Sequence, residues 1–65
     1  MAADIASTFV QSYKQGKNKP AILRRLIAKS TWQRVGDDFL HYFNDGSIVI
    51  ERALVNELQL FKAAD

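Results

Sequence analysis

The sequence predicts a small α+β domain: two N-terminal helices, a three-stranded antiparallel meander and one C-terminal helix. Three observations carry this reading. Apolar residues recur at helical spacing over the first thirty residues. The period falls to two after Ser30. Asn44-Asp45-Gly46, a hairpin signal, then separates two β-rich runs. A chain of 65 residues forms one domain, residues 1–65.

From Ala2 to Gln15, Ile5, Phe9 and Tyr13 return every four residues, with Ala6 and Val10 beside them. That is one apolar stripe along a helix. Asp4 stands where the helix dipole favours an acid. Gly16 supplies the left-handed conformation that ends helices. After Gly16-Lys17-Asn18-Lys19, Pro20 opens a second helix reaching Lys29, because a first-turn proline gives up no needed hydrogen bond. Ile22, Leu23, Leu26 and Ile27 form its inner face; Arg24, Arg25 and Lys29 lie on the other. So short a loop packs the two helices antiparallel or at a steep angle. Trp32 follows as the expected hub where helix meets sheet.

Thr31 to Val35 reads as a strand, Gly36-Asp37-Asp38 as a turn, Phe39 to Phe43 and Ser47 to Glu51 as two further strands. Loop length sets the register of the last pair. A two-residue Asp45-Gly46 turn places Phe43 opposite Ile48 and His41 opposite Ile50. A three-residue loop with Gly46 at a bulge places Tyr42 opposite Ile48 and Leu40 opposite Ile50. The second is preferred, since it gathers Leu40, Tyr42, Ile48 and Ile50 into one apolar face and leaves His41 in water. Phe39, His41, Phe43, Ser47, Val49 and Glu51 then share the opposite face. From Arg52 the spacing of Leu54, Val55, Leu58 and Phe61 is helical. A fourth strand over Glu57 to Lys62 competes, because Leu58, Leu60 and Lys62 alternate with Gln59 and Phe61. The helix is preferred for its longer apolar window.

Composition bounds the chemistry. The chain is 48% hydrophobic and 25% charged, ordinary for a folded domain. With no cysteine and one histidine, it can build neither a disulfide nor a thiolate zinc site, and no metal or cofactor is expected. No apolar run approaches the roughly 18 residues of a membrane span, so no membrane partner is expected. Met1-Ala2-Ala3-Asp4 lacks a basic, then apolar, leader, which favours the cytoplasm. A chain of this size buries only about 60% of its unfolded surface, so self-association is a natural reinforcement.

Charge is divided unevenly. Residues 1–34 hold seven basic side chains (Lys14, Lys17, Lys19, Arg24, Arg25, Lys29, Arg34) against Asp4 alone. Residues 35–65 hold six acids (Asp37, Asp38, Asp45, Glu51, Glu57, Asp65) against Arg52 and Lys62. Such a dipolar chain either steers toward a charged partner or matches its own halves internally. No nucleophile elbow or glycine-rich phosphate loop is present. The remaining catalytic candidates are His41 with Asp37, Asp38 or Asp45, and those aspartates sit where turns favour them. The chain therefore reads as a binding protein and not an enzyme.

Two surfaces are candidates. Phe39 and Phe43 exceed what the Leu40–Tyr42 face can hold, so on an open side of the sheet they become a patch for another protein or a second copy. Arg24, Arg25 and Lys29 then steer an acidic partner. The resulting expectation is a small regulatory or adaptor protein that acts by protein–protein binding and self-associates. The alternative is a nucleic-acid or anion site using Lys17, Lys19, Arg24, Arg25 and Lys29. Arg25 and Lys29 stand one turn apart, a repulsion of about 0.2–0.5 kcal/mol that a bound anion relieves. The lysines flank a helix N-terminus, whose N–H groups favour phosphate.

Overall fold

A computed structural model describes residues 4–65. Helices α1 (Ile5–Gln15) and α2 (Lys19–Lys29) precede strands β1 (Thr31–Val35), β2 (Asp38–Tyr42), β3 (Ile48–Arg52) and β4 (Glu57–Lys62). The strands pair antiparallel in chain order as one four-stranded meander. Of the helix predicted from Ala2, residues Ala2 and Ala3 lie outside the described residues.

The predicted C-terminal helix is not formed. A single 3-10 turn, Ala53–Val55, follows β3, and Asn56 reverses the chain at φ 53°. Glu57–Lys62 returns as β4, so the sheet has four strands, not three. The reason is non-local. Without β4, the outer backbone groups of β3 are an unpaired edge, and α1 loses its main partner in the sheet. With β4, Leu58 enters the core at 4% exposure, and α1 packs along this last strand.

The α1 N-terminus is built into the hairpin between β2 and β3. A helix opens with four N–H groups that have no partner inside it. Here the Ile5 N–H donates to Asp45 Oδ2 at 2.9 Å, and the Ala6 N–H to Ser47 Oγ at 3.0 Å. The Ser7 N–H donates to Asp4 Oδ1 at 2.7 Å, and the Thr8 N–H to the Asp4 carbonyl. Gly16, at φ 71°, ends the helix as predicted.

The three-residue loop register is observed: Tyr42 pairs with Ile48, and Leu40 with Ile50. Phe43 and Ser47 close the loop, and Gly46 takes φ 89°. The predicted burial of the two faces is reversed. Ser47, Val49, His41 and Phe43 are buried under the helices, with His41 only 2% exposed. Leu40, Ile48 and Ile50 are half-buried, and Tyr42 is exposed. The cause is the α1 cap: Ser47 must point at the Ala6 N–H, and side chains alternate along the strand, so Val49 follows it inward. The core is Ala6, Phe9, Val10, Tyr13, Ile22, Leu26, Phe43, Val49 and Leu58.

Candidate binding surfaces

The helices present a basic seam. Arg25 and Lys29 of α2 line a cleft of about 490 Å³ with Ile5, Thr8, Phe9 and Ser12 of α1 and Asn44 of the hairpin. Next to it, a cleft of about 350 Å³ shares Ser12 and Arg25 and adds Lys17 and Asn18. Lys17, Arg25 and Lys29 therefore follow one seam. Arg24 lies on the exposed surface of α2 and lines neither cleft. Lys19 is drawn away: its Nζ stands 5.0 Å from the Tyr13 ring centroid, a cation–π contact. At the α2 N-terminus the Asn18 side chain accepts the Ala21 N–H at 3.2 Å, so that donor is already used within the chain.

No acid occurs between Asp4 and Asp37, so the helices are purely cationic. Among the described residues the contacts between basic and acidic side chains are His41–Glu51, an ion pair only with a protonated ring, and Arg52–Asp38, both within the sheet. None of the helix cations is neutralised by a carboxylate from the second half of the chain.

The back of the sheet is the second surface. The ladder places Gln33, Leu40, Ile50 and Gln59 in one row across it, and Thr31, Tyr42 and Ile48 in the next. Both helices dock on the other face, so this one has an apolar centre and polar edges. At one end, Val35, Leu54 and Val55 border a shallow cleft with Asp38 and Arg52; Leu54 is 79% exposed.

The two phenylalanines predicted to form an exposed patch lie on the helix-covered side. Phe43 is a core residue, its ring stacked on Phe9 with centroids 5.4 Å apart. Phe39 is half-buried and meets Trp32 edge-on at 5.7 Å. Trp32 is no hub; it lies 52% exposed on the edge strand β1.

His41 bridges three elements. Its Nε2 meets Glu51 Oε1 at 2.9 Å, and its Nδ1 meets Ser30 Oγ at 3.1 Å. A serine, histidine and carboxylate in one row resemble a nucleophilic triad in outline. The protons run the wrong way for that. Ser30 Oγ donates to the Leu26 carbonyl at 2.6 Å, so its proton is committed to the backbone and is not aimed at the ring. The row instead fastens the end of α2 to β2 and β3. Sequence reading missed both Ser30 and Glu51 as partners of His41, although the preferred register already placed Glu51 and His41 on one face.

Two carboxyls titrate below their ordinary range. Asp45 is held down first by the Ile5 N–H, then by the Ser47 hydroxyl and N–H. Asp4 is held down first by the Ser7 side chain, then by the N–H groups of Ala64 and Ser7. Both serve the α1 cap and neither faces the seam. Among the described residues no helix is long and apolar enough to cross a membrane. The chain matches no protein-family model, no curated protein and no solved structure.

Proposed function

We propose that this chain is a small non-catalytic regulatory or adaptor protein that binds another protein, and a second copy of itself, through the back of its sheet. The observation that carries the reading is the uncovered apolar centre of that sheet: Leu40, Ile48 and Ile50 half-buried with Tyr42 exposed beside them. A two-layer domain of 65 residues has little core to spare, and apolar side chains left on one face mark a contact surface. The cationic helix side supplies long-range attraction toward an acidic partner.

Light scattering across protein concentration tests the self-association. The wild type is expected to form dimers by high micromolar concentration. Ile50→Lys, at the centre of the face, is expected to stay monomeric with an unchanged helical spectrum. A wild type that remains monomeric throughout that range overturns the self-association. A second reading, nucleic-acid binding on the helix side, is favoured by one observation: Lys17, Arg25 and Lys29 line joined clefts and pair with no carboxylate.

A further inference from the structure

We propose that the seam between α1 and α2 is a site for the phosphodiester backbone of single-stranded nucleic acid, held by Lys17, Arg25 and Lys29. The inference rests on the second reading above and gives it a location, a strand state and a mode of contact. Arg25 and Lys29 are four residues apart, about 6 Å along the helix axis, and line the same cleft. Arg25 also lines the neighbouring cleft with Lys17. The cations thus form a row and not a cluster, which suits a linear polyanion better than one small anion. No acidic side chain lines either cleft.

The neutral groups point the same way. Thr8 spends its hydroxyl on the Asp4 carbonyl at 2.9 Å. The Ser12 hydroxyl and the Asn44 amide make no hydrogen bond among the described residues and stay free to donate between the charges. A phosphodiester chain brings acceptors at every unit. Concavity selects the strand state. A duplex is entered by a convex helix in its major groove, whereas a seam between two helices receives a single backbone. Stacking platforms are missing: Phe9 is 9% exposed, and Tyr13 is buried with Lys19 over its ring. Recognition is therefore through phosphates and indifferent to base sequence.

The test is fluorescence anisotropy with a labelled single-stranded oligonucleotide over a salt series. With three phosphate contacts, the slope of log K against log salt should be about −2, since each contact on a single strand contributes about −0.7. Arg25→Ala with Lys29→Ala should reduce the slope to about −0.7. Both side chains are exposed, so the fold, followed by circular dichroism, should not change. Arg24→Ala, off the seam, should leave the slope at its wild-type value. A duplex of the same sequence and a glutamate-rich peptide should bind more weakly. If Arg24→Ala flattens the slope by about 0.7, as the loss of one phosphate contact would, or if the duplex or the peptide binds more tightly, the seam assignment is overturned while nucleic-acid or acidic-protein binding stands. If no oligonucleotide binds at low salt, both the seam assignment and the second reading fall.

Discussion

Glu51→Ala should destabilise the fold by about 2 kcal/mol, although Glu51 itself is partly in water. The cost arises at its partner. His41 is 2% exposed and Glu51 Oε1 stands 2.9 Å from its Nε2. Truncation strands a buried ring nitrogen, and an unsatisfied buried polar group costs about 1–3 kcal/mol. The Glu51 side chain is 21% exposed, so water can enter part of the vacated space, which argues against the upper limit. In a domain of this size each kcal/mol moves Tm by about 4–8 °C, so about 2 kcal/mol lowers it by roughly 8–16 °C. Thermal and urea denaturation followed by circular dichroism read the loss directly. Glu51→Gln retains an acceptor oxygen and should lose less than half as much. Ser30→Ala removes both the bond into the Leu26 carbonyl and the hydrogen-bond partner of Nδ1. It should therefore couple non-additively with Glu51→Ala, by at least about 0.5 kcal/mol. A loss under about 0.5 kcal/mol for Glu51→Ala, the size of an ordinary surface change, would refute the reasoning.

Acid should loosen the junction of α1 with the hairpin. Asp4 and Asp45 have lowered folded-state values, so their contribution is present above the ordinary carboxylate range and is lost as pH falls through the depressed folded values. Asp45→Asn should flatten the stability–pH curve in that window, and a curve identical to wild type contradicts the role. Phe43→Ala should cost about 3–5 kcal/mol because it empties the stack on Phe9. Phe39→Ala, half-buried against an exposed Trp32, should cost clearly less in the same urea titration. Equal losses would contradict the deeper packing of Phe43 within the helix-covered face.

What could be read from the sequence was what neighbours in the chain decide. The stop at Gly16, the strand Thr31–Val35 and the three-residue loop with Gly46 all depend on contacts within a few residues. The burial of the sheet faces does not. Both faces of β2 and β3 carry enough apolar residues to be core, and the choice is made by bonds from Ile5 to Asp45 and from Ala6 to Ser47, 40 and 41 residues apart. Asp45 reads locally as a turn residue, and nothing local reveals that it also caps a distant helix. The end of the chain failed for a related reason. Its apolar spacing fits helix and strand alike, and the outer edge of β3 with the packing of α1 selects strand. The cations of the candidate site were visible as composition. Their sorting was not: Lys19 turns to Tyr13, Arg24 stands apart, and Lys17, Arg25 and Lys29 share the seam.

The division of charge along the chain becomes a division between layers. Helices free of acid lie over a sheet that, with its turns, carries Asp37, Asp38, Asp45, Glu51 and Glu57 against Arg34, Arg52 and Lys62. The thinnest dimension of the molecule is 18 Å, so the two candidate surfaces are opposite faces of one slab. Occupying the sheet back therefore leaves the helix seam free. Two copies joined back to back would carry their seams outward on opposite sides. A short strand could then reach one seam only, while a long or folded one could engage both and gain avidity without any new contact. Pairing through the helix layers is the less favourable alternative, since it sets like charge against like across a seam that has no carboxylate to relieve it. On the proposed reading, electrostatics and apolar exposure give the two faces different tasks: the sheet back for protein, the seam for a polyanion.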